Sequence, residues 1–252
     1  MFWQSTNWDN SWSLYDYGNG LHKLVLFKRL PRRKGCEFSK EKRANPIDEG
    51  RAEKDKQIII DDENRFTQSI SRTRSTIFEL AFCNDFDYFC TLTIDSKKSN
   101  RDDLNGFVKD FGQFIRDLNK KRPEDKKIKY LIIPELHKKG GWHFHGLFSG
   151  LCENDLAPNK FGYLDWKRYS DKFGFFSCSP LKNKENACRY ISKYITKDIA
   201  ELSIPKGAHL YYCSQNLKRK TAICRFNFDN CFTDDFDFEN DYVKIKWIRD
   251  NN

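Results

Sequence analysis

No run of apolar residues in this 252-residue chain approaches the length needed to cross a bilayer, and residues 1–20 lack the basic start and apolar centre of a secretory leader. A membrane span and an exported protein are therefore not expected. No pair of its nine cysteines is spaced Cys-x-x-Cys, and an odd, irregular set argues against both a disulfide framework and a zinc site. Reduced thiols in an intracellular protein fit better. No G-x-x-x-x-G-K-S/T occurs, so a fused P-loop helicase is not expected, and there are no internal repeats. Histidine is scarce, with five in all.

What the chain does have is positive charge and rings. The net charge is +9 and aromatics make up 15%. That balance points to an anionic polymer carrying bases that can stack. The length allows one sizeable core with appendages, or two small domains.

Residues 1–16 are rich in Trp, Tyr, Ser and Asn without periodicity, and Gly18-Asn19-Gly20 closes them with a turn signal. From His22 to Gln57 there are twelve Lys/Arg against six Asp/Glu, including Lys28, Arg29, Arg32, Arg33 and Lys34. This stretch reads as an extended basic arm, either a solvated linker or a DNA-binding segment that contacts phosphates. The folded region is expected from about residue 65. A short helix is predicted over 72–83 and a β-branched, aromatic strand over 88–94. Ser99 reads as the N-cap of a helix whose apolar face is Leu104, Phe107, Val108, Phe111, Phe114, Ile115 and Leu118. Later elements are a strand at 175–179, a helix at 184–199 and a strand at 209–214. The order predicts an α+β fold, an antiparallel sheet with flanking helices in split β-α-β topology. After Arg225 the chain alternates Phe with acids, as an edge strand or as a tail over the basic surface. The expected organisation is an N-terminal segment with basic arm over 1–64, a central domain over 65–225 and a Phe/acid-rich segment over 226–252.

Two stretches carry chemistry. YLIIPELHKKGGWHFHGLFS, residues 130–149, reads as a β-hairpin turned by Gly140 and Gly141. His143 and His145 are two residues apart, so both imidazoles leave one face of the strand and can converge on a divalent metal. A five-residue loop over 138–142 would place Glu135 opposite His145 and His137 opposite His143, on that same face. A four-residue loop would put Glu135 on the wrong one. Two imidazoles with a carboxylate suit Mn²⁺ or Mg²⁺, the second somewhat strained by nitrogen ligands.

The second stretch is NACRYISKYITKD, residues 186–198, where Tyr190, Lys193, Tyr194 and Lys197 share one predicted helix face. A free phenol, with a pKa of about 10, is a poor nucleophile near neutrality. A neighbouring ammonium favours the phenolate and can hold a phosphate oxygen. A phosphotyrosine product would keep the energy of the phosphodiester, so a later joining step would need no ATP.

His143-Phe144-His145 followed by RYISKYITKD resembles the HUH endonucleases, specifically two-tyrosine rolling-circle replication initiators of small phages and some plasmids. Phe89-Cys90-Thr91-Leu92-Thr93 is similar to that family's first motif, a strand before the hairpin, and the three motifs stand in the family's order across residues 88–197. The resemblance implies an antiparallel, usually five-stranded sheet and metal ligands Glu135, His143 and His145. It also implies nucleophiles Tyr190 and Tyr194, with Lys193 and Lys197 as phosphate or phenolate partners. The implied substrate is single-stranded or hairpin origin DNA, the implied partner a separate host or phage helicase, and the implied location the cytoplasm of a bacterial host cell. Three readings stay open at this point. They are the initiator, a relaxase or single-strand transposase of the same chemistry, and a basic nucleic-acid-binding module without catalysis.

Overall fold

The computed structural model describes residues 11–28, 69–137, 140–185, 187–188, 191, 208–227, 235–240 and 243–250. The chain divides into two units, Met1–Phe66 with Lys220–Asn252 and Thr67–Arg219. Elements are numbered along the chain.

In the first unit, β1 (Ser11–Asp16) and β2 (Leu21–Phe27) form a hairpin whose turn uses positive φ at Gly18, Asn19 and Gly20. Nothing in the local pattern joins this N-terminal hairpin to the far end of the chain. The structure pairs β1 with β10 (Thr221–Asn227) and β2 with β12 (Val243–Arg249), in a five-stranded antiparallel sheet closed by β11 (Phe238–Glu239). Both edge strands, β10 and β11, draw on the Phe/acid-rich end. One face packs Trp12, Leu24 and Leu26 against Phe236. The basic arm expected from His22 therefore starts later than its charge pattern implied. Leu24, Val25 and Leu26 are buried in β2, and the gain from removing them from water outweighs the neighbouring lysines.

The second unit holds the predicted α+β architecture. Helix α1 covers residues 69–82, and β3 (Tyr88–Ile94) spans the predicted residues. Helix α2 (Leu104–Asn119) buries Leu104, Phe107, Phe111 and Ile115, each contributing about 1.5–3 kcal/mol by burial. Its N-cap is Asp103 rather than Ser99, the carboxylate accepting the Gly106 N–H at 2.9 Å. Ser99 instead belongs to a turn in which its N–H reaches the carbonyl of Asp95. The hairpin follows as β4 (Lys129–Leu136) and β5 (Trp142–Ser149). Then come β6 (Leu156–Pro158), β7 (Leu164–Trp166), α3 (Lys167–Lys172) and β8 (Gly174–Pro180). The strand predicted over 209–214 is reduced to β9 (Tyr212–Cys213).

Strand order is β6-β7-β8-β3-β5-β4-β9, and the pairings are antiparallel. Since β3 and β4 both run antiparallel to β5 between them, they are parallel to each other and joined by α2, the predicted split β-α-β unit. The sheet has seven strands, not five, because the short β6–β7 hairpin extends the β8 edge. Phe144 and Phe148 leave β5 toward α2, with Phe107 and Phe144 stacked at 4.8 Å between ring centroids. That packing commits the opposite face of β5 to the histidines. No helix of the described residues is long and apolar enough to cross a membrane.

Candidate metal centre

The hairpin loop has five residues, as the metal reading requires, but it runs from His137 to Gly141. Leu136 pairs with Trp142 and Glu135 with His143, while Ile133 sits opposite His145. The expected pairs, Glu135 with His145 and His137 with His143, are thus displaced by two residues. Gly140 and Gly141 both take φ near +83°, which reverses the chain just before Trp142. Trp142 is buried, and its N–H donates to the Arg101 carbonyl at 2.8 Å, so the return strand has to begin there. A shift of two preserves strand parity, and Glu135 stays on the histidine face.

Its Oε2 lies 2.8 Å from Nε2 of His143 and 2.7 Å from Nε2 of His145. One ligand atom from each of the three residues falls within a cluster 4.8 Å across. All three side chains are partly buried, at 25% exposure for Glu135, 15% for His143 and 13% for His145. The donor set, two imidazoles and a carboxylate on rigid paired strands, fits a divalent transition metal or Mn²⁺ better than Ca²⁺. Burial pushes the His145 pKa below its ordinary value. Glu135 pulls it back up and His143 adds to the depression. A neutral imidazole is the form that binds metal.

A fourth residue belongs to the centre and was not singled out from sequence. Thr91 stands opposite His145 on β3, its Oγ1 3.2 Å from Nδ1 of that ring. With Nε2 turned to a metal, Nδ1 carries the proton and donates it to the threonine oxygen, which fixes tautomer and ring orientation. Phe89 stacks on the same imidazole at 6.0 Å and 16°. The alternation in TLT places Thr91 and Thr93 on one face, but the pairing of β3 with β5 is what brings that face to the histidines.

His137 lies outside the triad, in the loop, with its ring 5.7 Å from that of His143. Lys28, expected on DNA, ends β2 in an ion pair with Glu239. Arg29, Arg32, Arg33, Lys34, Tyr190, Lys193, Tyr194 and Lys197 lie outside the described residues. Of the helix predicted over 184–199, residues 184, 185, 187, 188 and 191 are described and helical, with Cys188 and Ile191 fully buried.

Residues 87–199 match the family model for the replication-associated proteins of the ORF2 type. The match covers a little under half of the chain and takes in β3, the metal hairpin and the tyrosine-bearing stretch. Over that span the chain is similar to replication-associated proteins. Neither the curated proteins nor the solved structures gave a match.

Proposed function

We propose that this chain is a rolling-circle replication initiator that nicks and rejoins single-stranded origin DNA through a 5′-phosphotyrosine. The observation that carries the reading is the convergence of His143 and His145 on one Glu135 oxygen, inside the segment similar to replication-associated proteins. That similarity favours replication over the conjugative and transposition relatives of the same chemistry.

Glu135, His143 and His145 would hold the divalent ion, Mn²⁺ or Mg²⁺. When bound it would neutralise the non-bridging oxygens of the scissile phosphodiester. The chain's own residues do the rest. A tyrosine oxygen, Tyr190 or Tyr194, attacks phosphorus, forming the new P–O bond as the P–O3′ bond breaks. The phenol's proton is lost to solvent, and the leaving 3′ oxygen takes one up to become a free hydroxyl. Lys193 and Lys197 favour the phenolate and hold phosphate oxygens. Rejoining is the reverse displacement by a 3′ hydroxyl, isoenergetic in bond type, so no nucleotide triphosphate is consumed. Duplex unwinding falls to a separate helicase.

The test is incubation with labelled single-stranded DNA libraries and Mn²⁺, followed by denaturing electrophoresis. A denaturation-resistant protein–DNA adduct is expected. DNA binding with no adduct from any library would reduce the chain to a binding module.

A further inference from the structure

The sheet face that carries the metal centre continues sideways in register. Thr91 lies between His145 and Ser177, and Thr93 between His143 and Phe175. With strands about 4.8 Å apart, Phe175 is rooted roughly 10 Å from His143 along one row. A cavity of about 440 Å³ opens over this row, lined by Thr91, Thr93 and Phe175 and by Lys160, Phe161 and Tyr163 of the β6–β7 loop.

Its rings stand in water, with Phe161 73% exposed, Phe175 71% and Tyr163 51%. Single exposed apolar residues are ordinary, but three large rings around one cavity mark a binding surface. The loop that presents two of them is tied down. The Asn159 carboxamide oxygen accepts the N–H groups of Phe161 at 2.9 Å and Tyr163 at 3.1 Å, and its amide donates to Asp165 at 3.2 Å. Gly162 supplies the positive φ of 82° that closes the turn, and Trp166 anchors the hairpin in the core. Lys160 Nζ sits 5.0 Å from the Phe161 ring centroid. Flat faces, an ammonium beside them and a row of hydroxyls leading to the metal centre match a chain of unpaired nucleotides. The rings meet bases, and the cation and hydroxyls meet the backbone. An apolar protein partner would leave the hydroxyl row and Lys160 unanswered.

We propose that Phe161, Tyr163 and Phe175 form a base-stacking rack for the unpaired nucleotides adjoining the phosphate at Glu135, His143 and His145. This rests on reading that centre as a single-strand nuclease. The rack sets where the strand lies relative to the metal, and because every base has a π-face it does so with little sequence preference.

The test uses the full chain and a fluorescein-labelled oligodeoxythymidine, followed by anisotropy in EDTA across a salt series. Each ring replaced by Ala should weaken binding about five- to a hundred-fold. The slope of log affinity against log salt should not change, since a ring releases no counter-ions. Phe161→Trp and Phe175→Trp should retain affinity, and the Ala variants should keep wild-type melting and Mn²⁺ binding. Photocrosslinks from 5-iodouracil should map to these three residues. A triple Ala variant with wild-type affinity overturns the rack. So does one that keeps DNA affinity but loses self-association, which would mark a protein contact. If that variant also forms normal adduct, the nuclease reading survives alone. Ring-dependent binding without adduct from any library would uphold the stacking surface and sink the nuclease reading instead.

Discussion

Thr91 Oγ1 lies 3.2 Å from Nδ1 of His145, while Nε2 of the same ring faces Glu135 at 2.7 Å. The imidazole is thus gripped from both ends, one by a carboxylate that would share its metal and one by a hydroxyl that sets its tautomer. Thr91→Val keeps the shape and removes the acceptor. Mn²⁺ affinity, read by calorimetric titration, should fall about 10- to 100-fold, with Thr91→Ser close to wild type. Equal affinity in the valine variant would leave Thr91 a packing role only.

Replacing His143 and His145 together with Ala should abolish Mn²⁺ binding and cleavage while leaving most of the affinity for single-stranded DNA, which comes from phosphate contacts and stacking. Excess EDTA should do the same to the wild-type protein. Full cleavage under either condition would remove the metal from the mechanism.

The basic segment calls for substitution rather than deletion. Removing residues 1–60 would take out β1 and β2 and with them the middle of the five-stranded sheet. Neutralising Arg29, Arg32, Arg33 and Lys34 leaves that sheet intact. If these side chains meet phosphates, the salt slope of single-strand binding should flatten by about 0.7 for each phosphate no longer neutralised. An unchanged slope would make the segment a solvated linker.

Tyr190→Phe and Tyr194→Phe should each retain some first-strand cleavage, and the double variant should form no adduct. Each single variant should fail in the second transfer, which circularises the displaced strand. Peptide mapping of the adduct identifies the acting hydroxyl. Adduct confined to one tyrosine, with circularisation intact when the other is Phe, would leave a one-tyrosine nickase.

Thiol reactivity should follow burial. The Cys188 thiol is pushed up to about 12 by burial. Burial and the facing Cys178 thiol raise the Cys90 thiol well above its usual value. At pH 8 both stay protonated and shielded, so iodoacetamide should modify exposed Cys152 and Cys224 first. Denaturant should return Cys90 and Cys188 to the ordinary range and make them label. Rapid labelling of Cys188 in the native protein would show that its helix opens readily.

Local pattern carried a good part of this protein. The 3.6-residue spacing of Leu104, Phe107, Phe111 and Ile115 located α2 and its buried face, because helix geometry repeats within a few residues. It missed the cap. Ser99 and Asp103 both suit the role, and the choice depends on where the preceding turn at Asp95 releases the chain. The terminal segments gave no sign of meeting, since β1 and β10 are more than two hundred residues apart and neither records its partner.

At the metal centre the division is sharper. Two-residue periodicity alone put His143 and His145 on one face, and strand parity kept Glu135 there whichever even register held. Which residue faces Glu135 was decided by the two left-handed glycines and by the burial of Trp142, a balance of turn strain against core packing that the loop sequence does not contain. The neighbours of the histidines were decided further away still. Thr91, Thr93 and Phe175 stand beside them only because β3 inserts between β5 and β8, and that order follows from which apolar faces together cover α2. Residue types and faces are properties of a short stretch of chain. Adjacency across a sheet is a property of the whole core, and only the tertiary structure holds it.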